Sequence, residues 1–435
     1  MYRKELEELK NWKVSASRKP LIIKGARQTG KTWLMKEFGK TVYENVAYIN
    51  FESSPVMRQV FDMDFDITRI LSAIRIETGV EPIAGKTLII LDEIQDAPKA
   101  LTSLKYFAEN IPDQHVVAAG SLLGVLLAKG ASFPVGKVSF MSLYPMSFHE
   151  FLIAIGQQTL AETISKMDWS LITAYREKFI DYLKQYYFVG GMPEVVYQYA
   201  SNKDLEEVRR LQQFILNAYE QDFAKHAPAD IIPRIRMVWN GIPAQLAREN
   251  KKFIYGQLKQ GARAKEFEMA LLWLYDCGLI YRVSQVTKPA IPLKAYEDYS
   301  AFKLYMLDTG LLGALAGLDA QTLLEGNRLF EEFKGALTEQ YVLQELVAQK
   351  QGEVYYWSPQ NARMEIDFMI QAGKNVIPIE VKAAENLHAK SLRVFCEKYK
   401  PALAIRTSLS DYRKEDWMIN VPLYAAGNLF NLEKG

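Results

Sequence analysis

The sequence predicts an α/β protein built on a parallel sheet, with helical and mixed segments after it. Short apolar strands are predicted near 19–24, 86–92 and 114–121, and a glycine-rich loop joins the first of them to a helical stretch. Apolar residues then recur at helical spacing over 149–229. Continuous apolar runs are typical of strands that are covered on both faces, as in parallel sheets. The predicted fold class is therefore α/β.

The chain is too long for a single hydrophobic core. It has 435 residues, whereas single cores stop growing near about 250–300 residues, so we expect about two to four domains. Its composition, 49% hydrophobic and 24% charged, excludes disordered and collagen-like classes. The formal net charge is +2, from 53 Lys+Arg against 51 Asp+Glu. A nucleic-acid partner would therefore need a local basic surface.

Cysteine content and segment hydropathy bear on the compartment. The two cysteines, Cys277 and Cys396, lie far apart and cannot form a disulfide framework. Residues 1–8 are charged where a signal peptide would be apolar, and the most apolar stretch is shorter than the roughly 20 residues of a membrane span. We predict a cytoplasmic protein with no membrane segment.

A phosphate-binding loop follows the first predicted strand. It has the pattern GxxxxGKT and consists of Gly25, Ala26, Arg27, Gln28, Thr29, Gly30, Lys31 and Thr32. Glycines let the backbone N–H groups point at phosphate oxygens, and the following helix N-terminus adds a favourable dipole. Lys31 would reach the terminal phosphates, and the Thr32 hydroxyl would be a Mg²⁺ ligand. The motif predicts binding of ATP with Mg²⁺.

Two acids end the second predicted strand, and a serine ends the third. Asp92 and Glu93 follow an apolar run, so they would lie at the ligand edge of a parallel sheet. Asp92 would hold Mg²⁺, and Glu93 would polarise the attacking water as a general base. Ser121 could touch the γ-phosphate or the water, although a serine in that position is more often a helix cap.

A local basic region occupies 231–300, which carries 11 Lys+Arg against 6 Asp+Glu. Its predicted order of helix, short helix, turn, helix and hairpin is that of a winged helix, whose second helix can lie in a DNA major groove. The predicted DNA contacts are Arg263 and Lys265 on that helix and Arg282, Lys288 and Lys294 on the wing. Winged helices also connect proteins, so a protein partner is the open alternative.

The last third contains opposed carboxylates and a lysine. A two-residue turn at 373–374, with Gly first as a type II′ turn prefers, pairs residues whose numbers sum to 747. This register places Asp367 opposite Glu380, and Lys382 projects from the same face as Glu380. Two opposed acids beside a cation predict a Mg²⁺ site for phosphodiester cleavage, with both acids as metal ligands.

Two further residues affect this hypothesis. Glu339, on an amphipathic helix predicted over 331–350, could add a ligand or orient water. Pro378 lies inside the second strand and favours an edge position or a bulge, which would shift the predicted pairing. The alternative is a nuclease fold retained as a scaffold, in which Lys382 is salt-bridged to Glu380.

The N-terminal motifs resemble those of a known group of ATPases. The phosphate loop, LDEIQ at 91–95, AGS at 119–121 and LYPMSF at 143–148 are similar to AAA+-type ATPases of the STAND-related prokaryotic group. The resemblance implies that Ser121 sits where these proteins carry the sensor of the γ-phosphate. The group usually shows Gly-Arg ahead of its Leu-Tyr-Pro segment, where this chain has Gly136-Lys137. Lysine lacks the planar fork of arginine, so an arginine contact to ATP is not expected there.

The C-terminal residues resemble a second pattern. Glu339, Asp367 and the run EVK at 380–382 are similar to PD-(D/E)XK nucleases of the restriction-endonuclease type. Chains with an ATPase, a winged helix and a nuclease-like end in this order look like one widespread bacterial and archaeal family. The boundaries that we predict are 1–148 for the P-loop NTPase core, 149–230 for a helical lid, 231–305 for the winged helix and 306–435 for the nuclease-like domain.

These patterns predict a Mg²⁺-dependent ATPase that works on DNA and carries a metal-dependent nuclease-like end. The rival hypothesis is a signalling or scaffold switch that binds ATP, recruits a protein partner and has a degenerate nuclease fold. The predicted catalytic residues are Lys31, Glu93, Glu339, Asp367, Glu380 and Lys382.

Overall fold

The computed structural model describes residues 1–121, 124, 134–248, 251–325, 331–359, 364–385 and 389–433. The chain forms two compact units. Residues Tyr2–Tyr144 and Asp276–Leu279 make the N-terminal unit, and Pro145–Tyr275 and Ile280–Gly435 make the C-terminal unit. None of the helices in the described ranges is both long and apolar enough to span a bilayer.

A five-stranded sheet organises the N-terminal unit. Its strands are β1 (Leu21–Lys24), β2 (Asn45–Asn50), β3 (Thr87–Asp92), β4 (His115–Gly120) and β5 (Ser139–Ser142). Their order is β2-β3-β4-β1-β5, and every neighbouring pair is parallel. The strands predicted from sequence are β1, β3 and β4, of which β3 and β4 are buried at every residue. The predicted α/β class with a parallel sheet is confirmed.

Helices cover both faces of this sheet. They are α1 (Glu5–Val14), α2 (Lys31–Val42), α3 (Pro55–Met63), α4 (Ile67–Thr78) and α5 (Pro98–Asn110). Side chains alternate along a strand, so Ile89 and Leu91 pack with α3, α4 and α5, whereas Leu88 and Ile90 pack with α1 and α2. With both faces covered, the edge at the carboxyl ends of the strands is left for a ligand.

The C-terminal unit begins with helices. They are α6 (Phe148–Ala154), α7 (Gln158–Ser165), α8 (Trp169–Ala174), α9 (Arg176–Val189), α10 (Pro193–Asn202), α11 (Leu205–His226), α12 (Ile232–Leu246) and α13 (Ala264–Asp276). The helical spacing over 149–229 predicted this region correctly. The short helix of the predicted winged helix is a single 3₁₀ turn at Tyr255–Gln257.

An eight-stranded mixed sheet follows. Its strands are β6 (Ile280–Val286), β7 (Glu297–Met306), β8 (Val354–Trp357), β9 (Ile366–Ala372), β10 (Asn375–Val381), β11 (Ile405–Ser408), β12 (Arg413–Lys414) and β13 (Ile419–Pro422). The accompanying helices are α14 (Thr309–Leu315), α15 (Ala320–Glu325), α16 (Glu331–Ala348) and α17 (Lys390–Tyr399).

The strand order shows that the sheet continues across the boundary predicted at residue 305. The order is β12-β13-β11-β10-β9-β8-β6-β7, and β6 of the hairpin pairs in parallel with β8. A hairpin has an open edge of unpaired backbone groups, and β8 covers that edge. The hairpin and the C-terminal strands therefore belong to one sheet, although the sequence suggested a break between them.

The β9–β10 hairpin has the predicted register. Its pairs run from Asn375 with Ala372 to Ile379 with Phe368, and each pair sums to 747. Gly373 has a φ of 55°, the sign that the first turn position requires. The expectation for Pro378 was wrong, because β10 lies between β9 and β11 and keeps its register at the proline. The parallel ladder to β11 begins only at the next residue, Ile379.

The turn at Gly190-Gly191 is held by a carboxylate far away in the chain. The Gly191 N–H donates to Asp308 Oδ2 at 2.6 Å across 117 residues of sequence. The Gly191 carbonyl accepts from the Met146 N–H at 2.7 Å. A Cβ on Gly191 would lie 2.2 Å from the Met146 carbonyl oxygen. Glycine is therefore required here by a close backbone approach.

Gly191→Ala should destabilise the protein by about 3 kcal/mol or more, because the colliding oxygen belongs to hydrogen-bonded backbone that cannot move aside. Denaturant unfolding would measure the change. The matched control is Gly335→Ala in α16, where a Cβ meets no atom within 4 Å, so that variant should gain roughly 0.5–1 kcal/mol. Equal stability of the two variants would contradict the explanation.

Candidate functional site

The phosphate loop lies between β1 and α2, as the motif predicts. Gly25 has a φ of 157°, and a Cβ there would lie 2.3 Å from the Leu143 carbonyl oxygen. Gly30 has a φ of 90° and immediately precedes α2. Only glycine can occupy either position without strain. The two glycines thus shape a loop that ends at a helix N-terminus, the arrangement that binds phosphate.

Lys31 is buried inside this loop. Its Nζ donates to the carbonyl oxygens of Gly25 at 2.9 Å and Ala26 at 2.7 Å. Burial lowers the pKa of Lys31 to about 8, although Glu93 and Asp92 favour the charged form. The ammonium group is therefore held by carbonyls whose place phosphate oxygens would take.

Thr32 and Asp92 meet at the carboxyl end of β3. The Thr32 hydroxyl donates to Asp92 Oδ2 at 2.6 Å, and the Tyr48 hydroxyl donates to the same oxygen at 3.0 Å. A hydroxyl and a carboxylate side by side are ligands that suit Mg²⁺, which prefers oxygen and binds through one or two carboxylates. The residues present therefore fit a magnesium ion, for which Thr32 and Asp92 would be the protein ligands.

Glu93 lies beside this pair on a turn with a φ of 52°. Its Oε2 accepts a hydrogen bond from Gln95 Nε2 at 2.5 Å. Burial, with a smaller contribution from Asp92, raises the pKa of Glu93 despite that hydrogen bond. A carboxylate with a raised pKa accepts a proton more readily than an ordinary one, as a general base must.

The other predicted residues of the loop also lie close to this group. Arg27 Nε donates to Ser121 Oγ at 3.3 Å, and Ser121 directly follows β4. The Thr29 hydroxyl donates to the Ala26 carbonyl at 2.8 Å, so Thr29 stabilises the loop from inside. Gln28 has a φ of 65°. The structure thus brings all of the predicted nucleotide-site residues to one edge of the sheet.

Sequence reasoning missed three residues of this site. Tyr48 and Gln95 touch the two acids, as described above. Arg3, only 2% exposed, donates to the carbonyls of Thr29 at 3.2 Å and Tyr144 at 2.7 Å. Tyr48 could have been found, because the alternation in β2 directs it to the same face as its neighbours in β3. The charged N-terminus gave no sign that Arg3 is buried.

The predicted carboxylate pair lies at the ends of β9 and β10. Asp367 Oδ2 accepts from the Val381 N–H at 2.8 Å, and Lys382 Nζ lies 2.7 Å from Glu380 Oε1. Burial, together with Glu339 and Glu380, raises the pKa of Asp367 well above its usual range. Burial also raises the pKa of Glu380, against the effect of Lys382. Two carboxylates that resist ionisation so close together form a place that favours a cation.

Glu339 has different partners from those expected. It forms an ion pair with Lys251, lies 3.8 Å from Lys303 Nζ, and accepts from the Tyr305 hydroxyl at 3.1 Å. Burial acts to raise the pKa of Glu339, but the two lysines outweigh it and lower the value. Lys303 is fully buried and also pairs with Glu365. In this arrangement lysines and a tyrosine engage both oxygens of Glu339.

Only part of this second carboxylate cluster is arranged to bind a metal ion. Within the described ranges, no group of three or more His, Cys, Asp or Glu side chains is arranged to hold a metal ion. In the same ranges, Glu380 Oε2 is buried and has no hydrogen-bond partner. Asp367 and Glu380 therefore suit a cation that takes its remaining ligands from water, whereas both oxygens of Glu339 already contact lysines or a tyrosine.

Two lysines of this cluster were missed as site residues. Lys303 interrupts the apolar run at 301–307, and a lone charge in a buried strand needs an acidic partner, so the signal was present. Lys251 was counted only as part of the basic stripe. Its ion pair with Glu339 joins residues 88 positions apart, so it depends on how distant elements pack.

The predicted DNA-contacting residues are exposed on the C-terminal unit, but their settings differ. Arg263 and Lys265 are exposed at the start of α13. Arg282 lies over the Phe302 ring at 4.4 Å, and Lys288 lies 5.7 Å from the centre of the Tyr296 ring. Lys294 pairs with Glu353 at 2.8 Å. The net positive charge of residues 231–300 is therefore partly neutralised by acidic residues elsewhere in the folded chain, such as Glu353.

The parallel sheet, the phosphate loop and the acid pair form the arrangement of a P-loop nucleotide-binding domain. Residues 17–152 match the family described as an AAA domain. Residues 180–322 and 334–425 match two families described as domains of unknown function, DUF8612 and DUF4143. The first match covers the N-terminal motifs, and the other two cover most of the remainder.

Curated relatives and solved structures complete the comparison. Uncharacterized proteins of Mycobacterium bovis and Mycobacterium tuberculosis are each 26% identical over 371 residues, 83% of this chain and 70% of theirs. A Walker-type ATPase of Pyrococcus abyssi is 14% identical over 72% of this chain and 95% of its own, with a TM-score of 0.46. The Thermotoga maritima RuvB Holliday junction branch migration motor is 14% identical over 65% of this chain and 90% of its own, with a TM-score of 0.30.

Proposed function

We propose that this protein is a Mg²⁺-dependent ATPase. The observation that carries the proposal is the 2.6 Å contact of Thr32 with Asp92 beside the buried Lys31. A hydroxyl and a carboxylate for the metal and an ammonium group for the phosphates are the parts that phosphoryl transfer needs. The match of residues 17–152 to an AAA domain supports the same function.

The chain's own residues have distinct tasks in the proposed reaction. Lys31 and the N–H groups of the loop bind the phosphates, and bound Mg²⁺ would neutralise charge on their oxygens. Glu93 takes a proton from water as the water oxygen bonds to the γ-phosphorus. The bond from that phosphorus to the bridging oxygen breaks, and ADP leaves with that oxygen. The products are ADP and inorganic phosphate.

Purified protein should release phosphate from ATP in the presence of Mg²⁺, and excess EDTA should remove the activity. A coupled phosphate assay over a range of Mg²⁺ concentrations measures both effects. Re-addition of Mg²⁺ is the control that separates metal removal from unfolding. Hydrolysis that continues unchanged in EDTA would argue against the metal role of Thr32 and Asp92.

We further propose that the C-terminal unit acts on DNA as a metal-dependent phosphodiesterase. Asp367 and Glu380 would hold the metal, and Lys382 would face the phosphate as a cation. The buried Glu380 Oε2, without a partner in the described ranges, supports this assignment. The exposed cations Arg263, Lys265 and Lys288 would contact the phosphate backbone, and such contacts weaken steeply with salt.

Asp367→Ala should abolish cleavage of plasmid or branched DNA in Mg²⁺ or Mn²⁺, because it removes one of two metal-binding carboxylates. Gel analysis of nicked and linear products measures the effect. The control is Asp416→Ala, which removes an exposed carboxylate of the same unit and should cleave as the unchanged protein does. Equal cleavage by all three proteins, or cleavage by none, would refute the nuclease assignment.

A second candidate function is an ATP-dependent switch that recruits a protein. The outward side of α13 favours it, because Met269, Leu272 and Tyr275 are 57%, 47% and 57% exposed at helical spacing. Glu266 and Glu268 are exposed on the same helix, and acids disfavour a DNA groove. DNA binding that is absent even at low salt would favour the switch over the nuclease.

A further inference from the structure

The loop arginine Arg27 contacts the residue that follows β4. It is the third residue of the phosphate loop, and its Nε donates to Ser121 Oγ at 3.3 Å. Ser121 follows β4, and β4 lies between β1, which leads into the loop, and β3, which leads to the acids. The serine thus holds the guanidinium group over the middle of the ligand edge.

The electrostatics of the site support the same position. Arg27 lies four residues before Lys31 in the same loop, and Lys31 Nζ donates to the carbonyl oxygens of the two residues that precede Arg27, Gly25 and Ala26. Two cations in one loop repel each other, although both are also attracted by the neighbouring Asp92 and Glu93. A phosphate group that carries several negative charges would remove that repulsion.

We propose that Arg27 contacts the γ-phosphate of bound ATP and stabilises the charge that develops there during hydrolysis. This inference rests on the proposed ATPase function. The planar guanidinium presents N–H donors in a fork that matches phosphate oxygens, which a lysine cannot reproduce. Ser121 is then a positioning residue, which acts on the nucleotide through Arg27. The site therefore contains its own arginine, supplied from the same chain.

The rival explanation is that Arg27 only ties the loop to β4. If Arg27 only stabilises the loop, its loss should weaken the binding of every nucleotide equally. If Arg27 contacts the γ-phosphate, its loss should weaken the binding of ATP and leave the affinity for ADP unchanged. The comparison of ADP with a slowly hydrolysed ATP analogue, ATPγS, therefore separates the two explanations. It requires no hydrolysis, so it remains informative even if the protein turns over no ATP.

The experiment measures the affinities of Arg27→Ala and Arg27→Lys for ADP, ATPγS and ADP with aluminium fluoride, next to ATP turnover. We expect Arg27→Ala to keep its ADP affinity within about threefold, to lose affinity for ATPγS and aluminium fluoride, and to lose about 10³-fold in turnover. Arg27→Lys should recover only part of the loss, because it lacks the fork. Thermal unfolding checks that each variant is folded.

Each possible outcome either supports the γ-phosphate contact of Arg27 or overturns it. Equal losses for ADP and ATPγS would overturn it in favour of a structural tie, and no loss for either would overturn it as well. Selective loss for ATPγS supports it even if turnover of the unchanged protein is undetectable, in which case only the proposed ATPase function fails. Ser121→Ala should show the same selectivity with a smaller loss, and it should add little to Arg27→Ala.

Discussion

Glu93→Gln should bind ATP with nearly unchanged affinity and hydrolyse it about 10³-fold more slowly. The carboxylate is the group that takes the proton from water, and an amide of the same shape cannot do so. The phosphate loop, Thr32 and Asp92 are left intact, so the binding contacts remain. Single-turnover hydrolysis and equilibrium binding of a fluorescent ATP, measured on the same preparation, check both parts of the expectation.

The matched control for this variant is Glu44→Gln. Glu44 is an exposed carboxylate of the same unit, with a surface ion pair to Lys86 at 3.1 Å, so its replacement should leave turnover unchanged. If Glu93→Gln turned over ATP as fast as Glu44→Gln, another group would have to act as the base. If both binding and turnover fell together, the residue would support the site structurally.

The nucleotide site was predictable because its geometry is local. The loop 25–32 is flanked in the sequence by β1 and α2. Asp92 is the last residue of β3, and Glu93 follows it directly. Parallel strands place their carboxyl ends at one edge, so Thr32 and Asp92 were expected at the same edge of the sheet. Their direct contact depends on the strand order, in which only β4 separates β1 from β3. The contact of Arg27 with Ser121 needed the strand order, which the sequence does not specify.

The C-terminal cluster was predictable only in part. Turn length predicted the β9–β10 register, whose last pair, Ile379 with Phe368, directly adjoins Glu380 and Asp367. The two lysines that engage Glu339 lie 88 and 36 positions earlier in the chain. The apolar run around Lys303 indicates a buried charge there, but no local pattern shows that its partner, or that of Lys251, is Glu339. The same limit applies to Asp308 at the Gly191 turn. Long-range polar partners depend on the packing of whole elements.

Lys31→Ala should remove detectable ATP turnover and weaken ATP binding at least 10²-fold. The variant loses the buried ammonium group that the loop carbonyls of Gly25 and Ala26 now hold, and no other side chain of the loop takes its place between the phosphates. Equilibrium binding and phosphate release measure the two losses. Lys40→Ala removes an exposed cation at the far end of α2, and it should behave as the unchanged protein does.

The pH dependence of binding tests whether this ammonium charge is the one that matters. Burial lowers the pKa of Lys31 to about 8 in the nucleotide-free site, and bound phosphates favour the charged form. Above pH 8 the lysine is largely neutral, so nucleotide binding must take up a proton and affinity should fall. The expected loss is about tenfold from pH 7 to pH 9. ADP affinity that stays constant over this range in the unchanged protein would show that the charge of Lys31 does not control binding.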